Sequence, residues 1–273
     1  SGIGAVLLNV TVVDPEVGNE GGYLTVYPCA SGRPDASNLN FVSGQIIPNT
    51  VIAPVDSAGN ICFYSYGKTH VLADVSGYFP TGSSLQTLTP TRIINTRPTG
   101  KIGNRTGTAD PMTFNVYGKG GLPMSGIGAV LLNVTVVDPE VGNEGGYLTV
   151  YPCASGRPDA SNLNFVSGQI IPNTVIAPVD SAGNICFYSY GQTHVLADVS
   201  GYFPTGSSLQ TLTPTRIVNT RPTGKIGNRT GTADPMTFNV YGKGGLPMSG
   251  IGAVLLNVTV VDPEVGNEGG YLT

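Results

Sequence analysis

The chain repeats itself almost letter for letter. The string SGIGAVLLNVTVVDPEVGNEGGYLT begins at Ser1, again at Ser125 and again at Ser249, a period of 124 residues. The first two copies differ at two places, Lys68 against Gln192 and Ile94 against Val218. Solenoid units are about 20–50 residues long, so this period is domain-sized. The sequence predicts a tandem array of one domain type.

The repeat letters do not mark the domain boundaries. The stretch PTGSSLQTLTP, Pro80–Pro90 and again Pro204–Pro214, has no charge and no apolar cluster and reads as a short extended connector. Reading between connectors gives the tail of one repeat over 1–80 and a linker over 81–88. A complete repeat follows over 89–204, then a linker over 205–212 and the head of the next repeat over 213–273. Broken β domains expose strand edges, which is costly. One expectation is a window from a longer array. The rival is head-to-tail strand exchange, in which the ends of neighbouring molecules complete each other.

Within a unit nearly every segment alternates with period two, and no helical stripe stands out. Val6, Leu8, Val10 and Val12 form one inward row. Leu24 with Val26, Leu39 with Phe41, and Val51, Ala53 and Val55 form others. Ile61 with Phe63 and Val71, Ala73 and Val75 follow, and Arg92–Arg97 and Met112–Tyr117 add two more strands. The strands are separated by Asp-Pro, Gly-Asn, Ser-Gly and similar turns. The expected fold class is all-β: tandem antiparallel β-sandwich, jelly-roll-like domains of about eight strands, with a closed barrel as the alternative.

Charged residues are only 11% of the chain, against a usual quarter. Net charge is −4, with no basic patch, which argues against nucleic acid as a partner. No run of 18 apolar residues appears, so no membrane-spanning helix is predicted. Few charges and many Ser, Thr, Asn and Gly suggest the neutral polar surface of secreted and cell-surface β proteins.

Each unit carries two cysteines, Cys29 and Cys62, then Cys153 and Cys186. Two per domain is the count for one disulfide, which implies an oxidising location. Buried free thiols are the competing reading. Two Cys and one His per unit, with no CxxC, fall short of a zinc ligand set.

The runs Leu8–Val55 and Ile61–Pro80, with the opening PTRIINTRP at Pro90–Pro98, resemble a repeat domain of secreted actinobacterial and related bacterial proteins. The resemblance covers the whole unit, recurring cysteines included. It implies accessory, surface-displayed modules and carries over no catalytic residue.

Candidate chemistry is sparse. His70 and Asp74 (His194 and Asp198) share a strand face but stand about 13 Å apart along it, too far for a catalytic contact. Asp14, Glu16 and Glu20 crowd around one turn and are a calcium candidate. Their spacing misses the EF-hand template, and a solvated acidic turn competes. Arg92 and Arg97, with Arg216 and Arg221, are candidates for clamping a carboxylate at the interdomain junction. Arg92 or Arg97 could also pair with Asp74 or Asp110. Tyr64, Tyr66 and Tyr78 could line a groove or lie half-buried on the sheet. The sequon at Asn104 lies in a reachable turn and that at Asn9 inside a strand.

The sequence therefore expects a structural extracellular fibre, stalk or surface filament with no catalytic activity and no cofactor. Its partners would be neighbouring identical domains. The alternative is a carbohydrate- or surface-binding module that gains avidity from repetition, with a cell-surface glycan as ligand.

Overall fold

The computed structural model describes residues 2–273 except 229, 231, 266–269 and 271. It divides into two compact units, Ser1–Thr213 and Pro214–Thr273. The first unit is all-β, with four antiparallel sheets and no α-helix among the described residues.

The complete repeat has eight strands: β7 (Gln86–Asn95), β8 (Met112–Asn115), β9 (Ile127–Glu140), β10 (Gly146–Pro152), β11 (Leu163–Phe165), β12 (Ile170–Pro178), β13 (Asn184–Tyr190) and β14 (Gln192–Pro204). They form two sheets, ordered β12-β9-β14-β7 and β11-β10-β13-β8. The inward rows of both sheets meet in one cluster. Val130, Leu132, Val134, Val136, Val195, Ala197 and Val199 come from the first sheet. Leu148, Val150, Phe165, Ile185 and Phe187 come from the second. The arrangement is consistent with a β-sandwich.

Two features of the strands follow from single residues. Pro172 sits in β12, an edge strand, where its missing N–H breaks no ladder between two neighbours. The strand β9 runs through Asp138-Pro139 to Glu140 instead of turning there. The expected Asp-Pro turn is instead a bulge: Asp138 takes φ 49°, and the register against β14 shifts between Gln192 and His194. A carboxylate is among the few side chains that tolerate that region. Gly146 is needed for close approach, since a Cβ there would lie 2.4 Å from the Tyr190 carbonyl oxygen.

The preceding partial repeat has six strands: β1 (Ile3–Glu16), β2 (Gly22–Pro28), β3 (Leu39–Phe41), β4 (Ile46–Pro54), β5 (Ile61–Tyr66) and β6 (Lys68–Pro80). Its sheets are β4-β1-β6 and β3-β2-β5. They match the complete repeat strand for strand, less the counterparts of β7 and β8. Leu8, Val10, Val12, Leu24, Val26, Leu39, Phe41, Val51 and Ala53 are its core. The far half of that core is uncovered. Val75 is 69% and Phe63 41% exposed, whereas their counterparts Val199 and Phe187 are fully buried.

The expected linker over 81–88 is a turn at Thr81–Ser84, then the buried Leu85 and the first residues of β7. In the second unit the described residues form no strand, but its turns are made. Gly224 N–H donates to Thr220 O and Gly242 N–H to Pro247 O, as Gly100 does to Thr96 and Gly118 to Pro123. The turns are local structure; the strands between them need a sheet to join.

Candidate functional site: the junction between repeats

Within Ser1–Thr213 the two copies of the repeat pack on each other. The outward face of β9 and β14 offers Ala129, Leu131 and Phe203, and these meet Ala5, Ile52 and Leu85 in one buried cluster. Phe79 and Phe203, the same position in the two copies, have ring centroids 6.2 Å apart. The Ser84 and Ser208 hydroxyls, again one position, are 2.8 Å apart. An outward-facing apolar row on a strand is a cost in an isolated domain; here it is the contact.

Around this cluster lies an asymmetric polar network. Asn49 of the first copy donates its side-chain amide to Asn133 Oδ1 at 3.0 Å. Asn133 donates in turn to Ser37 O at 2.6 Å. Thr174 N–H donates to Asn49 Oδ1 at 3.1 Å, and its hydroxyl to Thr50 O. The loop 35–38 and strand β4 of the first copy therefore press on the β9–β14 face of the second. The reciprocal face of the first copy is open: Asn9 and Asp74, the counterparts of Asn133 and Asp198, are exposed. The junction is therefore heterologous: like positions meet at Phe79–Phe203 and Ser84–Ser208, but its polar contacts join unlike surfaces.

Asp198 is the charge at its centre, with a side chain 2% exposed. Arg92 grips it with both forks, Nε to Oδ1 at 2.8 Å and Nη2 to Oδ2 at 2.9 Å. The two stand opposite each other in the β7–β14 ladder. Burial pushes the Asp198 carboxyl above its ordinary value, against the pull of Arg92. Arg92 thus pairs with the counterpart of Asp74, inside its own repeat and beside its neighbour. Arg97 does not reach the junction: it is exposed, and its guanidinium bonds Asn95 Oδ1 at 3.2 Å. Arg221 holds Asn219 in the same way, and Arg216 is exposed. An Arg97→Ala chain is expected to melt within about 0.5 kcal/mol of the parent, read by thermal unfolding.

The other sequence candidates separate. Among the described residues no three His, Cys, Asp or Glu side chains are grouped to hold a metal ion. The acidic turn has a different cation. Lys101 Nζ lies 2.8 Å from Asp138 and 2.6 Å from Glu140, the counterparts of Asp14 and Glu16. Those two hydrogen bonds raise the Lys101 pKa. Asp14, Glu16 and Glu20 are themselves exposed. His194 Nδ1 lies 3.2 Å from Thr96 O, so this histidine ties β14 to the end of β7. Thr135 Oγ1 is buried without a partner among the described residues, so Thr135→Val is expected to be neutral or stabilising by up to about 1 kcal/mol, measured by urea unfolding.

The cysteines form two disulfides, Cys29–Cys62 and Cys153–Cys186, and no cysteine is free among the described residues. Beside the second lies a tyrosine strip. Tyr147 stacks on Tyr190 at 5.7 Å, and Arg157 lies 4.1 Å over the Tyr188 ring. The strip recurs with Tyr23, Tyr66, Tyr64 and Arg33. Tyr78 is not part of it; it sits on β6, and its counterpart Tyr202 packs against the core. A shallow cleft of about 340 Å³ borders Tyr190, Arg105, Asn143 and Glu144.

The outward residues Leu7, Phe79 and Ile52 fall outside the inward rows read from the sequence, and that reading missed the junction. The available signal was Leu131 and Phe203 on a face that also carries Asn133 and Asp198. No protein-family model, curated protein or solved structure matches the chain.

Proposed function

We propose that the chain is a structural repeat protein of an extracellular fibre, stalk or surface filament, built from tandem jelly-roll-like domains and without catalytic activity. One observation carries the reading: the contact between copies is heterologous. A two-fold contact closes on a pair, whereas a head-to-tail contact repeats until it closes a ring or extends as a filament. Near-identical copies supply that contact at every step. The strand order supports the domain type. Numbered within the complete repeat, strands one, eight, three and six face strands two, seven, four and five, the pattern of a double Greek key. The disulfides fit an oxidising, extracellular location.

The test is electron microscopy of the native material. Unbranched threads with an axial step no longer than one sandwich, about 45 Å, are expected. Separate particles, with micromolar binding of a glycan to the chain, would replace this reading with the alternative of an adhesive module acting through avidity. The tyrosine strip and the cleft beside Tyr190 favour that second reading.

A further inference from the structure

The cleft beside Tyr190 is walled by two turns of the complete repeat, each fixed at its base and open at its tip. The first turn spans 103–107. Asn104 closes it: its Oδ1 accepts from the Thr108 amide at 3.0 Å and from the Thr106 hydroxyl at 3.1 Å. The Asn104 carbonyl accepts from the Gly191 amide at 2.8 Å, which ties the turn to the corner between β13 and β14. Gly107 lies so close to Tyr190 that a Cβ there would stand 2.8 Å from the ring. The second turn spans 141–145. The Gly145 amide donates to Gly142 O at 3.1 Å, and the Ser167 hydroxyl holds both the amide and the carbonyl of Val141.

Arg105 stands at the tip of the first turn, and Asn143 and Glu144 at the tip of the second, all three exposed. Among the described residues none of these side chains has a hydrogen bond or an ion pair, so Arg105 and Glu144 border one cleft without bridging each other. The half-buried Tyr190 ring lines the same cleft, fixed by its stacking on Tyr147 at 5.7 Å and 8° between planes.

These groups select a class of ligand. The two charges cancel, so a polyanion or a polycation gains little. A guanidinium fork donates to two neighbouring oxygens, and a carboxylate accepts from hydroxyls. The face of a tyrosine ring packs on a flat apolar surface. A neutral pyranose offers all three partners: adjacent hydroxyls, a further hydroxyl, and a face of C–H groups. The volume, about 340 Å³, is at the small end of ligand sites and suits a short saccharide.

We propose that the cleft is a saccharide subsite, in which Tyr190 packs on the C–H face of one neutral sugar ring, Arg105 donates to two adjacent hydroxyls and Glu144 accepts from a third. Asn143, with one donor group and one acceptor, serves the neighbouring ring. The turns are tied before the ligand arrives, so little ordering opposes binding. The assignment gives the adhesive reading a single cleft and a ligand class, and it rests on neither mode of assembly.

The experiment is calorimetric titration of the full chain with three kinds of probe: neutral disaccharides (cellobiose, maltose and chitobiose), a sulfated disaccharide, and the zwitterion glycylglycine. Saturable binding of a neutral disaccharide with a Kd below about 1 mM is expected. Arg105→Ala and Glu144→Gln are each expected to weaken it at least about tenfold, the worth of one hydrogen bond to a charged group, without a shift in melting temperature. Tyr190→Phe keeps the ring and is expected to bind within about twofold of the parent. Lys119→Ala, an exposed cation outside the cleft, is expected to change nothing.

No binding of any neutral disaccharide would overturn the assignment, as would binding that survives Arg105→Ala and Glu144→Gln unchanged. Preference for the sulfated sugar or for glycylglycine would overturn the ligand class. Threads that bind no saccharide would sink the subsite and leave the fibre standing. Separate particles that bind through Arg105 and Glu144 would keep the subsite and sink the fibre.

Discussion

Arg92→Met is expected to destabilise the complete repeat by about 3–5 kcal/mol at neutral pH, because it leaves the Asp198 carboxylate buried and alone. The pair itself contributes less than that, since both charges were desolvated to make it. The loss should therefore be largely recovered in Arg92→Met, Asp198→Asn, where an amide fills the same space without a charge. The pH dependence has a definite sign. Burial raises the Asp198 carboxyl above its ordinary value in the folded protein. The folded state then holds the proton more tightly than the unfolded chain. This group's contribution favours folding below the unfolded carboxyl value and is lost as pH rises through the folded one. Removing Arg92 takes away the main opposing pull, so the deficit should be largest at neutral pH and shrink on acidification. Urea midpoints at several pH values would read it. A deficit independent of pH, or one left intact in the double variant, would show that the pair is not what Arg92 supplies.

Removing the Cys153–Cys186 disulfide by paired Ser substitutions is expected to cost about 3–4 kcal/mol, the chain-entropy value for its loop of some 34 residues. The bond ties the turn after β10 to β13, so the two middle strands of one sheet are locked at one end. Tyr151, Tyr188 and Cys186 bury one another around it. Near-identical repeats carry a further hazard, since strands of one copy fit the sheets of another. Cys29→Ser with Cys62→Ser is therefore expected to raise the misassembled fraction on refolding, read by size-exclusion chromatography. An unchanged fraction would mean that register is set elsewhere.

Much of the domain can be read from period-two alternation. Leu8, Val10 and Val12, Leu24 and Val26, and Leu39 and Phe41 all face the core as the pattern predicts. Strand boundaries were less legible, because proline and glycine are ambiguous in sheets. Asp14-Pro15 looks like a turn but is a bulge inside β1. Pro80–Pro90 looks like a linker but feeds β7 and buries Leu85.

The junction was harder still. Alternation says which side chains share a face; it does not say whether that face meets water or another copy. Ala129, Leu131 and Phe203 therefore read as tolerated surface until the packing shows them covered. Arg92 was legible as a clamp for a carboxylate. Its partner could be fixed only by register, which sets Arg92 opposite Asp198.

The unreciprocated contact, in which Asn49 donates to Asn133 and Asn133 to Ser37, would give any thread built on it two unlike tips. One tip would show the asparagine-bearing sheet face of its last repeat; the other would show the loop that covers such a face. Lengthening would run at different rates at the two. A small molecule shaped to one tip would stop growth there and leave the opposite end untouched.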